Sequence, residues 1–447
     1  MNSVRIRQAR EADYPGVYEC LHNAFGEGTD PRTFEIYRGN FVPDRAFIAE
    51  EHGRVVGTTG AGSLELTVPG GRLTAGGLHW AGVLPTHRRQ GIFRRLMRAQ
   101  LDEIAGRGEC LAVLHASEGG IYERFGFGPA TRIHGFSLDV RRAELRSGPP
   151  GGRNAIRDSA GGETEASANR GGMIRLAKRR AAESALPAVW ERVRLRRAGQ
   201  IGRPEWFWKE FLHELDEERE GQGLFFAFHV PGQDSPGAPE TDDAGATPAD
   251  DGINAADGYA VYWIEQNWTG HDPAHIVHLA ELVDTDPSAR AALWRYLLSL
   301  DLVATLKVEN CPADESLWWM LTNPRVMRTT HLVDGLQIRL LDVPRALAAR
   351  KYQCDGELVF EVTDEFRPLS GGTYHLSVRR GKVECRAAKT PASLRLNTTA
   401  LARAYLGDQS FTAMSAAGLV AESASGALAL ADALFRTPLA PWSATVF

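Results

Sequence analysis

The sequence predicts an α+β fold, with two mixed α/β units in tandem and a third, smaller α/β unit at the C-terminus. Three observations predict it. The stretch His79 to Gly128, HWAGVLPTHRRQGIFRRLMRAQLDEIAGRGECLAVLHASEGGIYERFGFG, reads as strand, basic turn, helix, strand and then a short helix carrying a tyrosine. The order strand, turn, helix, strand returns at Ile276 to Val283, DTDPSARAALWRYLLSLD and Thr305 to Glu309. From about Thr330 strands with alternating faces dominate, in QIRLLDV, ELVFEVTDEF, GTYHLSVRRGKVECRAA and SLRLNTT.

Taken in order, Val4 to Arg10 alternates as a half-buried strand, and Asp13 stands where it would cap a helix running through Phe25. The segment GEGTDPRTFEIYRGNF is rich in turn residues, carboxylates and aromatics. Its Glu27, Asp30, Phe34, Glu35 and Tyr37 are candidates to wall a pocket for a polyamine. Ala46 to Glu50 and Arg54 to Thr59 flank His52-Gly53 as a hairpin, and Leu64 to Val68 with Leu73 to Val83 extend the sheet.

Pro85 ends the strand, and Arg88, Arg89, Gln90 and Gly91 stand where a helix begins. A helix start is an anion site, because its first N–H groups lack intrahelical partners and the macrodipole favours negative charge by about 0.3 to 1 kcal/mol. Gly91 lets a phosphate approach the backbone, and the arginines add charge beside those amides. Ile92, Phe93, Leu96, Met97, Leu101 and Ile104 then recur on one helical face, with Arg94, Arg95, Arg98, Asp102 and Glu103 on the other.

A strand over Arg132 to Val140 is expected to close the first unit. SGPPGGRNAIRDSAGGETEASANRGG is too small and polar to bury much, and reads as a linker. The second unit opens with IRLAKRRAAESALPAVWERV, which echoes VRIRQAREADYPGVYECL as a weak repeat. At its equivalent turn stand Asp284, Asp286 and Pro287 with no glycine, so an anion there would be repelled. PGQDSPGAPETDDAGATPADDGINAADG carries only acidic charges and no aromatic residue, and is expected to be a disordered insertion. The boundaries read in this way are 1–147, a linker at 148–172, a second unit at 173–328 with the insertion at 231–258, and a third unit at 329–447.

Length and composition narrow the class. At 447 residues about three domains are expected, and 43% apolar content suffices for several cores. A formal net charge of −5 argues against a nucleic-acid coat and suits a cationic small molecule. The cysteines, Cys20, Cys110, Cys311, Cys354 and Cys385, form no C-x-x-C pair and point to a reducing cytoplasm. The N-terminus shows no basic region followed by an apolar run, and no apolar run of about 18 residues exists, so neither a secretory signal nor a membrane span is expected. His271, His275 and His278 lie in a turn-to-strand stretch where packing roles prevail, so no metal is expected. Neither G-x-S-x-G nor G-x-x-x-x-G-K-[ST] occurs.

The turn Arg88-Arg89-Gln90-Gly91-Ile92-Phe93 resembles the R-x-x-G-x-G/A turn of the GCN5-related N-acetyltransferases (GNAT), with phenylalanine in place of the last small residue. With ASEGGIYERFGFGPAT downstream, LWRYLLSLD near residue 300 and an aromatic C-terminus, the chain resembles the enhanced intracellular survival (Eis) family, which acetylates aminoglycosides. The resemblance implies tandem GNAT-type domains, the second degenerate and without CoA, then a sterol-carrier-like (SCP2-like) domain whose C-terminus reaches the active site. It implies acetyl-CoA as co-substrate, a cationic amine acceptor, no nucleic acid and a homohexamer.

Residue by residue, the resemblance assigns the pantetheine arm to Ala81, Gly82 and Val83. Phosphate contacts go to Arg89, Gln90, Gly91, Ile92, Phe93 and Arg94, and further contacts to Ser117 and Glu118. Tyr122 is the candidate general acid, since a phenol with a pKa of about 10 is near enough to a thiol at about 8.5. Phe447 supplies the terminal carboxylate as base, which at an ordinary pKa of about 3.5 must be desolvated, work through water or only orient an ammonium. No cysteine stands near Tyr122 in sequence, so direct transfer in a ternary complex is expected. A protein-lysine acetyltransferase and a non-catalytic acetyl-CoA sensor are the other readings.

Overall fold

In the computed structural model, residues 4–146, 172–219, 221–232 and 252–447 are described. Nearly all of the expected linker, and most of the expected acidic insertion, lie outside them.

The chain forms two compact units. The first joins residues up to Arg132 with Arg197–Glu210 and Asp334–Phe447, and the second comprises Ile133–Arg196 and Phe211–Val333. The first opens with β1 (Arg5–Gln8), α1 (Tyr14–Phe25), α2 (Pro31–Arg38), β2 (Ala46–Glu51), β3 (Arg54–Val68), β4 (Gly71–Val83), α3 (Ile92–Gly106), β5 (Leu111–His115) and the short β6 (Gly128–Pro129). Their sheet has the order β1, β2, β3, β4, β5, then the strand Leu336–Leu340, then β6.

Local chemistry explains most of these elements. His52 and Gly53 both take positive φ, 49° and 78°, and close the β2–β3 hairpin. Asp13 precedes α1 as expected, but its carboxylate does not cap the helix. It takes both Nη groups of Arg7, at 2.7 and 2.8 Å, and the amide of Arg10 at 2.7 Å. The apolar stripe of α3 is buried through Ile92, Leu96, Met97, Leu101 and Ile104, as the periodicity predicts.

One expectation is corrected. Arg132–Asp139 does not close the first sheet: it pairs antiparallel with Val303–Cys311 in the second unit. The place beside β5 goes to Leu336–Leu340, which overlaps the segment QIRLLDV of the expected third unit. All five residues of that strand are buried, so it is a central strand and not an edge.

Within the first unit the C-terminal part adds a five-stranded sheet: Lys382–Ala387, Gly372–Arg379, Gly356–Thr363, Leu394–Asn397 and Val420–Glu422 in spatial order. The helices Thr398–Tyr405, Phe411–Ala416 and Ala427–Phe435 accompany it. Arg350, 1% exposed, donates to the carbonyls of Tyr405 and Phe435 at the C-terminal ends of two of those helices. It thus satisfies carbonyls that a helix leaves unpaired.

In the second unit a seven-stranded sheet carries Met173–Ala177, Leu224–Val230, Gly258–Glu265, His275–Asp284, Val303–Cys311, Arg132–Asp139 and Met327–Asp334. The helix Pro287–Leu298 follows His275–Asp284 as α3 follows β4.

Candidate active site

β4 and β5 run parallel but share only two pairs, Gly76 with Ala112 and Gly77 with Val113. β4 continues to Val83 and β5 to His115, so the two strands part at this point. The parting follows from a bulge: Thr58 opposes Gly82 while Gly60 opposes His79, which leaves Trp80 and Ala81 against one residue of β3. Trp80 takes φ 55°, a costly conformation for a large side chain. Its indole holds the bulge by donating to Asn40 Oδ1 at 2.8 Å and packing on Tyr14, Phe41 and Tyr37.

Ala81, Gly82 and Val83 form the end of β4 at this opening. A Cβ on Gly82 would meet Leu21 and Ala24 of α1 at 3.3 and 3.2 Å, so α1 seats closely on the strand only because no side chain intervenes.

The turn that follows is built for a helix start without a cap. Gly91 precedes α3 at φ 76°, ψ 2°, and no side chain caps the helix. The space where its Cβ would stand is open. Arg89 also takes positive φ, 61°, and is exposed. The first amides of α3, at Ile92, Phe93 and Arg94, therefore have no side-chain cap from Gly91, and the space beside it is open. Arg88 serves differently: its guanidinium donates to Ala24 O at 2.6 Å and ties the turn to α1. Arg89 and Arg94 form no salt bridge among the described residues.

Phe93, standing where a small residue was expected, packs its ring 5.9 Å from Tyr122 and 5.6 Å from Phe125. Tyr122 sits immediately before the short 3-10 helix Glu123–Phe125 rather than within a helix, and is 7% exposed. Burial among Phe93, Phe125 and Phe127 pushes its phenol up to about 12. Burial therefore keeps the proton on the phenol at neutral pH, because desolvation disfavours the phenolate. As placed, the hydroxyl suits donation of a hydrogen bond to a developing thiolate better than free release of a proton. Ser117 and Glu118 stand exposed in the loop after β5.

Phe447 lies where the strands part. A Cβ at Gly77 would come within 3.2 Å of its Cε2, and its ring meets His115 edge-on at 5.4 Å. The tail is pinned by backbone and side-chain bonds to the segment Arg197–Arg203. Trp442 N donates to Ala198 O at 2.9 Å, Ala444 N to Gln200 Oε1 at 3.1 Å, and Arg203 Nε to Thr445 Oγ1 at 3.0 Å. Trp442 is 4% and Thr445 2% exposed.

Sequence reasoning missed His115. It is the last residue of β5, and both ring nitrogens are buried without a hydrogen-bond partner among the described residues. Desolvation pushes its pKa down to about 4, so the ring is neutral at pH 7. The available signal was its position at the carboxyl end of a parallel strand, where ligands of α/β sheets bind.

Of the acceptor-wall candidates, Asp30 is a cap, its Oδ2 accepting from Thr33 N at 2.8 Å. Phe34 packs on Tyr14, with centroids 4.7 Å apart, and Tyr37 reaches Trp80 at 6.3 Å. Glu27 and Glu35 are exposed. Among the described residues no three His, Cys, Asp or Glu side chains gather as metal ligands. His275 bonds Asn267 at 3.0 Å and His278 bonds Glu265 at 2.8 Å.

Residues 5–130 match the family described as Acetyltransferase (GNAT) domain, residues 199–340 match another family of that description, and residues 343–444 match the Sterol carrier protein domain. The chain is 33% identical over 447 residues to an uncharacterized N-acetyltransferase of Streptomyces coelicolor, covering 98% of both. It is 30% identical over 443 residues to the N-acetyltransferase Eis of Mycobacterium tuberculosis, covering 97% of both. It is also similar to the crystal structure of Eis1 from Mycobacterium abscessus, with a TM-score of 0.80, 29% identity and coverage of 99% of this chain and 100% of that one.

Proposed function

Because the chain belongs to the Eis family of GCN5-related N-acetyltransferases, we propose that it moves the acetyl group of acetyl-CoA onto amines of polyamine-like acceptors such as aminoglycosides. Transfer is direct, within a ternary complex. The observation that carries this reading is the uncapped start of α3 with the phenol of Tyr122 packed against its Phe93; Phe447 stands separately against Gly77 and His115, where β4 and β5 part.

The amides of Ile92, Phe93 and Arg94, with Arg89, Gln90 and Gly91, hold the diphosphate. The free edge of β4 at Ala81, Gly82 and Val83 takes the pantetheine arm, and Ser117 and Glu118 bound it across the gap. The acceptor amine attacks the thioester carbonyl, the C–N bond forms and the C–S bond breaks. The amine proton leaves to the Phe447 carboxylate or to water. The thiolate is met by the Tyr122 hydroxyl, whose burial keeps its proton on at neutral pH. His115, neutral and without a partner, is available to the terminal carboxylate or to the amine. Glu27 and Glu35, both exposed, offer negative charge to a cationic acceptor, while Tyr14, Phe41 and Trp80 are core residues.

The test mixes protein, acetyl-CoA and a panel of aminoglycosides, polyamines and lysine peptides, and measures free CoA while mass spectrometry identifies the product. Thiol release with acetylated aminoglycoside or polyamine supports the proposal. Product on the peptides alone makes it a protein-lysine acetyltransferase. Tight CoA binding with silence across the panel makes it a sensor. One residue added after Phe447 is expected to lower turnover while CoA binding persists. The proposal includes a homohexamer, checked by light scattering, and a cytoplasmic location. Among the described residues no helix is long and apolar enough to cross a membrane.

A further inference from the structure

Arg94 and Arg98 stand one helical turn apart on α3, just downstream of the uncapped helix start, and both lie over the ring of Phe366, 5.1 and 4.4 Å from its centroid. Arg124 approaches from the 3-10 helix Glu123–Phe125, its guanidinium 5.5 Å from the Phe125 centroid, and that ring stands 5.0 Å from Phe366. Like charges at i and i+4 repel. None of the three forms a salt bridge among the described residues, although carboxylates stand close by. Asp102 is taken by Arg367, Asp364 by Arg339 and Glu123 by Arg403. These pairings take up three neighbouring carboxylates, though not the exposed Glu365 beside Phe366, and leave three exposed guanidiniums, Arg94 and Arg98 over Phe366 and Arg124 over Phe125. An aromatic face holds a cation without neutralising it, so the cluster stays competent for an anion.

We propose that Arg94, Arg98 and Arg124 form a subsite for the 3′-phosphate of coenzyme A, with Phe366 of the sterol-carrier-like domain as its platform. The inference rests on the reading of the α3 start as the diphosphate site. From those amides Arg94 and Arg98 lie about 3 to 9 Å farther along the helix axis, at 1.5 Å per residue. One ribose separates the 3′-phosphate from the diphosphate, so the spacing fits. Guanidiniums suit a phosphate better than ammoniums would, because their forked donors match its oxygens. The C-terminal domain then has a part on the donor side, through Phe366, as well as at the tail.

Steady-state transfer from acetyl-CoA and from acetyl-3′-dephospho-CoA tests this. With the native chain KM is expected to be about 10- to 100-fold higher for the dephospho donor, the size of one or two charge-assisted hydrogen bonds, with kcat alike. Arg94→Gln with Arg98→Gln should raise KM for acetyl-CoA and collapse the ratio between the donors toward one. Arg98→Lys, which keeps the charge but not the fork, should retain part of it. Equal KM values in the native chain, or an undiminished ratio in the double variant, overturn the subsite. Failure of either donor to bind at all overturns the diphosphate reading as well, and is seen separately as absent turnover with both.

Discussion

The two copies of the strand, turn, helix, strand order start their helices in opposite ways. Before α3 stands Gly91 with positive φ and no cap, whereas before Pro287–Leu298 stands Asp286, whose Oδ1 accepts from Ser288 N at 2.8 Å. In the first copy the arginines at the turn keep clear of carboxylates. In the second, Arg290 bonds Asp284 at 2.6 Å and also pairs with Glu315, whose side chain is 1% exposed. Glu315 further accepts from Trp294 Nε1 at 2.9 Å and Leu317 N at 3.1 Å. Burial opposes the Arg290 charge, but Glu315 and Asp284 more than offset this and hold its pKa above the ordinary value. The second turn therefore supplies its own anions where the first awaits one. The difference teaches that the apolar pattern maintains the fold in both copies, while on the proposed function a few positions at the turn decide whether a ligand enters.

The largest effect should come from the first copy. Tyr122→Phe, which removes the hydrogen-bond donor to the thiolate, is expected to lower kcat by about 10²- to 10³-fold, with donor binding retained, in a transfer assay. An undiminished rate would reduce the phenol to packing. In the second copy, Glu315→Ala leaves Arg290 buried with one partner fewer, and should cost about 3 to 5 kcal/mol in denaturant unfolding. A loss nearer that of an exposed pair would mean the plug is not structural.

A smaller effect concerns His115. Its folded pKa of about 4 lies below the unfolded value of 6.5, so between those values the unfolded chain binds the extra proton. Its contribution to stability is intact above pH 6.5 and falls by about 3 kcal/mol as the pH drops to 4. His79, also pushed to about 4, shares that window. Comparing His115→Leu with the native chain isolates the His115 share: the variant should show the shallower slope of stability against pH.

Much of this was legible beforehand. The α3 stripe, the hairpin at His52-Gly53 and the acidic second turn follow from local periodicity and turn chemistry. The exchange of Arg132–Asp139 for Leu336–Leu340 was not legible. Both segments alternate as strands, and which sheet each joins depends on partners far away in the chain. Asp13 was misjudged as a cap because Arg7, on the neighbouring strand, offers a charged partner. His115 escaped notice because its isolation depends on Phe447, brought in from the other end of the chain. Phe93 broke the expected small-residue pattern, and its reason appears only in the packing against Tyr122.

Calorimetric titration of coenzyme A into the native chain, Gly91→Asp and Asp286→Gly tests the contrast between the two turns most directly. The expected result is one site per chain in the native protein, a loss of about tenfold or more in affinity for Gly91→Asp, and an unchanged single site for Asp286→Gly. Full affinity in Gly91→Asp, or no binding by the native chain, would contradict it.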